Sequence, residues 1–197
     1  MSDNKSLAGT ESAKILAQSY LAESSAVTRY TFYSQQAVKE GYPQYGNIFK
    51  ETADNELHHA KIFLRYLQEN AITPGPMEVD LGVMDSTLEN LKIAAHEEQI
   101  EGVDAYQKAA DVAEKEGFIE LAGRYRAIAT VEAHHEARFR KMIERIENGT
   151  VWKSEDDKPI KWQCQVCGYI FEGVEPPEKC PACYHPTKYF MREETNF

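Results

Sequence analysis

The chain has 197 residues, more than one ordinary domain needs and fewer than two full ones take, so one main core with a small appendage is the expected organisation. Hydrophobic residues at 42% and charged residues at 27% belong to a folded soluble chain, and no apolar run approaches the roughly 20 residues of a membrane-spanning helix. A net charge of −10 argues against broad nucleic-acid binding, and the opening MSDNKSLAGTESAK lacks the pattern of a secretory signal, so a cytoplasmic location is expected.

From about residue 10 to 148 the pattern is helical, broken at Gly41 and Pro43, at Thr73-Pro-Gly-Pro76, at Gly117 and at Gly149, which predicts four long helices and a mainly α protein. The core-facing stripe of the first reads Leu16, Tyr20, Glu23, Val27, Tyr30. The second reads Tyr45, Phe49, Thr52, Glu56, His59, Phe63, Tyr66. A capping box, Ser86-Thr-Leu-Glu89, opens the third, whose stripe is Leu91, Ala94, Glu98, Glu101, Ala105. The fourth reads Leu121, Tyr125, Ile128, Glu132, His135, Phe139, Met142, Ile146. The longest connection lies between helices two and three, the crossover of a ferritin-like four-helix bundle. That bundle is assigned residues 1–148, a polar linker GTVWKSEDDKPI residues 149–160, and a small metal-bound domain residues 161–197.

The helical region repeats itself at an offset of 76 residues. Lys39-Glu-Gly41 returns as Lys115-Glu-Gly117, Tyr30 as Tyr106, Ala53 as Ala129 and Phe63 as Phe139. Glu56, His58 and His59 fall on Glu132, His134 and His135. Two helix pairs related by a pseudo-twofold axis would bring the two Glu-x-x-His segments together.

Every stripe thus turns carboxylate inward. Most of the 32 acidic residues are ordinary solvated positions, but burying Glu23, Glu56, Glu98, Glu101 and Glu132 unpaired is prohibitive, and no Lys or Arg shares their level in the stripes. Metal is the remaining counter-charge. A Glu and a His three residues apart share a helix face, and the mixed oxygen and nitrogen donors suit iron or manganese, with zinc also open. Paired Glu-x-x-His segments facing further carboxylates are the pattern of dinuclear ferritin-like sites. His58 and His134 lie one residue off the stripe and are expected at partly exposed or outer positions. Glu23 precedes Tyr30 by seven residues but Glu98 precedes Tyr106 by eight, and the extra residue predicts a π-bulge near residues 98 to 105.

All four cysteines fall in the tail, as Cys164-Gln-Val-Cys167 and Cys180-Pro-Ala-Cys183, two knuckles able to close a tetrahedral thiolate site that spacing alone leaves open to iron or zinc. The tail is too short for an ordinary core without such a staple. Trp162, Tyr169, Phe171 and Tyr189 would shield a redox iron or simply fill a small core.

Several motifs occur together and in order: Glu23-Ser with Arg29-Tyr-Thr-Phe32, Glu51-Thr-Ala-Asp54 before Glu56-x-x-His59, Glu98-x-x-Glu101, and Glu132-x-x-His135-Glu-x-Arg-Phe139. In these the chain resembles the rubrerythrin family over essentially its whole length, and the tail is similar to that family's rubredoxin-like domain. The resemblance implies one iron held by Cys164, Cys167, Cys180 and Cys183, and a di-iron site, oxo- or hydroxo-bridged when oxidised. It further implies that Glu56 and Glu132 bridge the irons, that Glu23 serves one and Glu98 with His135 the other. The first iron would be held by His59 when reduced and by Glu101 when oxidised.

Reducing hydrogen peroxide to water takes two electrons, one from each of two ferrous ions. The expected activity is therefore that of a non-haem di-iron peroxidase, an oxidoreductase of oxidative-stress defence, with Glu101, His59, Tyr30 and Tyr106 serving the chemistry. Electrons would enter through the Fe(Cys)₄ centre from a rubredoxin or a separate NAD(P)H-linked reductase, because the chain shows no nucleotide-binding signature. The resemblance also implies a head-to-tail homodimer. A ferroxidase that handles iron, or a zinc-bound scaffold for protein contacts, remain as alternatives.

Overall fold

The computed structural model describes residues 6–78 and 81–193. Helices α1 (Glu11–Glu40) and α2 (Pro43–Glu69) form one hairpin. After the crossover, α3 (Thr87–Glu97), a π-helical segment (Glu98–Asp104) and α4 (Ala105–Lys115) run as one continuous third helix, and α5 (Ile119–Glu147) closes the bundle. Among the described residues no helix is long and apolar enough to cross a membrane.

Local chemistry sets the helix ends. Ser86 Oγ accepts the Glu89 N–H at 3.3 Å, while the Ser86 N–H goes to Asp85 at 2.6 Å instead of to Glu89, so half of the predicted capping box forms. The repeated Lys-Glu-Gly triplets are helix stops. At Gly41 (φ +93°) the following Tyr42 N–H reaches Ala37 O at 2.8 Å, and at Gly117 (φ +87°) the Phe118 N–H reaches Ala113 O at 2.8 Å. Both are Schellman closures, whose left-handed residue favours glycine.

The predicted bulge is present as Glu98–Asp104, and it changes which residues face inward. Wider winding carries the buried stripe from Glu98 to Gly102 and Tyr106, while Glu101 and Ala105, expected in the core, are exposed. Four carboxylates are therefore buried at this level instead of the five expected: Glu23, Glu56, Glu98 and Glu132.

Two apolar clusters flank that polar layer. One gathers Leu16, Phe63, Tyr106, Tyr125 and Ile128; the other Tyr30, Tyr33, Tyr45, Phe49, Phe139 and Met142. The repeat is visible in their packing: Tyr30 meets Phe139 with centroids 5.7 Å apart at 64°, and Tyr106 meets Phe63 at 5.7 Å and 63°.

The tail is a three-stranded antiparallel sheet, β1 (Ile160–Cys164), β2 (Ile170–Gly173) and β3 (Phe190–Arg192), in the order β2-β1-β3. Trp162 pairs across to Phe171 and Cys164 to Phe190. Within residues 149–160, residues 151–154 are packed against their neighbours while 155–159 are exposed: Val151 and Ser154 are buried, and Trp152 stacks on Tyr42 (5.6 Å, 6°), which stacks on Tyr45 (5.6 Å, 12°). Asn47 of α2 donates to Gln165 beside the first knuckle at 2.9 Å.

Gly102 lets the π segment lie against α5, since a Cβ there would come within 2.7 Å of both Cβ and Cγ of Glu132. Gly102→Ala is expected to destabilise the protein by about 1–3 kcal/mol through overpacking. The measurement is the shift in denaturant midpoint relative to wild type.

Candidate metal centres

The Glu-x-x-His segments of α2 and α5 place Glu56 beside His59 and Glu132 beside His135, one helical turn apart. Glu23 arrives from α1 and Glu98 from the start of the π segment. The six side chains form two overlapping groups, Glu23-Glu56-His59-Glu132 and Glu56-Glu98-Glu132-His135, each with one ligand atom per residue within 4.8 Å of the others. Glu56 and Glu132 belong to both.

The two imidazoles see nearly the same cage. His59 Nδ1 lies 2.7 Å from Glu56 Oε2, 3.0 Å from Glu132 Oε1 and 3.8 Å from Glu23 Oε1. His135 Nδ1 lies 3.0 Å from Glu56 Oε1, 3.0 Å from Glu132 Oε2 and 3.7 Å from Glu98 Oε1. Yet Glu56 Oε1, both Glu132 oxygens and His135 Nδ1 are buried without a hydrogen bond. These atoms crowd one another without the alignment of donor and acceptor, as ligand atoms converging on a cation do. The residues fit a pair of metal ions.

Phenols close the layer on both sides. Tyr30 Oη–H donates to Glu98 Oε1 at 2.7 Å, and Tyr106 Oη–H makes a short hydrogen bond to Glu23 Oε1. Burial, then the neighbouring carboxylates, push both phenols well above their ordinary range, so they remain protonated donors. Burial also raises Glu98 to about 7, and burial with the charges of Glu56 and Glu132 raises Glu23. Against the cost of their own burial, the surrounding carboxylates lift His59 to about 10 and His135 to about 12. Glu56, equally against its burial, is held at about 2 by His135 and His59.

Glu101 stands apart from the six. It is exposed, and it lines both a chamber of about 30 Å³ against Glu23, Glu56, Glu98 and Glu132 and a larger outer cleft of about 780 Å³. Ala22, Arg29 and Tyr106 also border both spaces. His58 and His134 are exposed, in keeping with their place off the stripe.

Sequence reasoning assigned no role to three neighbours. Arg29, buried, pairs with Glu97 at 2.9 Å and not with the carboxylate cluster. Asn55 Oδ1 lies 3.1 Å from His135 Nε2. In the tail, His185 Nδ1 lies 3.3 Å from Cys183 Sγ. For Asn55 a signal existed, because the repeat breaks there: its partner at offset 76 is Val131.

The four tail thiols also converge. Cys164 and Cys183 sulfurs are 3.7 Å apart, Cys167 and Cys180 sulfurs 3.6 Å, and all four lie within 4.8 Å of one another. A disulfide would hold its sulfurs at about 2 Å. Four thiolates about 2.3 Å from a central ion instead give edges of about 3.8 Å, close to what is seen. Outweighing desolvation, the backbone N–H groups of Cys183 and Ala182 lower Cys180 to about 7, which favours the thiolate form.

Fold and sites define a ferritin-like carboxylate and histidine di-iron bundle carrying a four-cysteine rubredoxin-like unit. Family models agree with each part: "Rubrerythrin" matches residues 14–143 and 89–161, and "Rubrerythrin, rubredoxin-like domain" matches residues 162–191. A rubrerythrin of Clostridium perfringens is 46% identical over 195 residues, covering 94% of this chain and 96% of the relative. The structure of fully reduced, all-ferrous nigerythrin superposes with a TM-score of 0.64 at 26% identity, covering 98% of this chain and 91% of that one. A Desulfovibrio desulfuricans bacterioferritin shares the bundle fold, with a TM-score of 0.65 at 19% identity over 70% of this chain and 81% of that one. The chain belongs to the rubrerythrin family.

Both histidines are raised above their usual value of about 6.5 and are protonated in the metal-free protein at neutral pH, whereas a ligand must be neutral. Metal loading is thus expected to release protons, and apparent affinity to rise with pH between 6 and 8, the window about neutrality below both folded values. Calorimetric titration in buffers of different ionisation enthalpy measures this directly; an affinity flat with pH contradicts the assignment.

Proposed function

We propose that this chain is a peroxidase that reduces hydrogen peroxide to water in defence against oxidative stress, in the cytoplasm. The observation that carries the reading is the union in one chain of a buried six-residue carboxylate and histidine cluster with a convergent thiolate site. A bound pair of ferrous ions supplies the two electrons that hydrogen peroxide and two protons require to become two waters.

In this reading Glu23 and His59 would hold one ion, Glu98 and His135 the other, and Glu56 and Glu132, which belong to both groups, would serve both. Glu101, on the wall shared by chamber and cleft, would be an exchangeable carboxylate for the ion that Glu23 and His59 would hold. Tyr30 and Tyr106 keep protons at their Oη atoms beside Glu98 and Glu23 and orient those carboxylates. The outer cleft admits peroxide, and a chamber of about 30 Å³ excludes anything much larger than one or two waters. Cys164, Cys167, Cys180 and Cys183 would hold a single iron, whose chemistry when bound is to carry electrons one at a time. They come from a rubredoxin or an NAD(P)H-dependent reductase, and a head-to-tail homodimer brings one protomer's thiolate site to its partner's di-iron cluster.

Cys180→Ser is expected to abolish steady-state peroxide turnover while sparing one round of reduction by pre-reduced di-iron, read by stopped-flow absorbance; an unchanged steady-state rate refutes electron entry through the cysteines. Glu101→Ala is expected to slow peroxide reduction by about tenfold or more with little change in thermal midpoint, and a fully active variant rules out its role. Parallel assays with oxygen and excess ferrous ion separate this function from ferroxidase activity.

A further inference from the structure

The two histidine cages match almost atom for atom, so beyond the exchangeable Glu101 a difference between the two ions has to come from behind the rings. There the halves differ. The His135 Nε2–H points to Asn55 Oδ1 at 3.1 Å, from the helix opposite its own. That bond keeps the proton on Nε2, presents the Nδ1 lone pair to the cage, and prevents the ring from turning. The residue that would serve His59 in the same way is the twofold counterpart of Asn55, and it is Val131, whose side chain has no hydrogen-bonding atom. Among the described residues, His59 has no hydrogen bond on Nε2.

We propose that Asn55 is a positioning residue that makes the two metal positions unequal. It fixes His135 as a permanent ligand, while Val131 leaves His59 free to rotate away and release its ion. The inference rests on the reading above that the cluster binds two ions, and it adds which of them is labile and why. Glu56 and Glu132 contribute to both positions and cannot make the distinction, and Glu23 and Glu98 stand at near-equal distances from their histidines, 3.8 and 3.7 Å. Among the hydrogen bonds that reach the two histidines from outside the cluster, that of Asn55 is the asymmetric one.

The test is iron release from the full-length, anaerobically reduced protein into excess coloured ferrous chelator, with the cysteine-bound iron counted apart by its thiolate absorption. Wild type is expected to release bundle iron in two phases of equal amplitude, and Glu23→Ala to remove the fast one. Asn55→Leu is expected to speed the slow phase about 10- to 100-fold, the usual effect of losing a partner behind a ligating histidine, and Asn55→Asp, which keeps the acceptor, to restore it. Val131→Asn, at a partly exposed position, is expected to slow the fast phase. A single wild-type phase, an unchanged slow phase in Asn55→Leu, or an unchanged fast phase in Val131→Asn overturns the inference while leaving the peroxidase reading intact. A wild-type bundle that takes up no iron pair overturns both.

Discussion

The structure depends on one arrangement: four carboxylates and two imidazoles, all buried, whose ligand atoms converge in pairs on two points. Four negative charges in a helical core would be intolerable alone. Without metal, two imidazolium rings offset part of that charge and Glu98 and Glu23 move toward the protonated form; with metal, the protons give way to ions. Either way the layer must be neutralised. The apolar clusters on either side, each with its Tyr–Phe edge contact, hold the four helices at the spacing this demands.

Around that layer, polar contacts are arranged by function. The phenols of Tyr30 and Tyr106 tie α1 to the carboxylate of the third helix and the third helix to that of α1. Arg138 of α5 donates to Thr52 at 2.7 Å and to Glu51 at 2.8 Å, fastening the two Glu-x-x-His helices just beyond the cluster. The buried Arg29–Glu97 pair borders the chamber without entering the metal cage, so it shapes the approach without competing for ligands.

Much of this was legible in the sequence. Inward-facing Glu and His at helical spacing, duplicated at a fixed offset, announced the buried cluster, and one supernumerary residue between Glu98 and Tyr106 announced the π segment. What escaped was the consequence of that segment for register: a 3.6-residue stripe continued past Glu98 puts Glu101 in the core, whereas the wider turn puts Gly102 there. Asn55 escaped because a polar residue beside a stripe looks like a solvated one until the opposing helix is placed. The packing of residues 151–154 escaped for a similar reason. Trp152 is a lone aromatic in a polar stretch, and only the fold brings Tyr42 beneath it.

The internal duplication has a consequence for ancestry. Neither hairpin owns a complete group of converging side chains: Glu23 leans on Tyr106, Glu98 on Tyr30, and each histidine lies against both Glu56 and Glu132, one from each half. A half-length forebear would have built this chamber only by pairing with a copy of itself, and would have been symmetric by necessity. Joining the copies in one polypeptide released that obligation. The halves now differ: one has an extra residue in its first helix, and the other has an amide where its twin has valine.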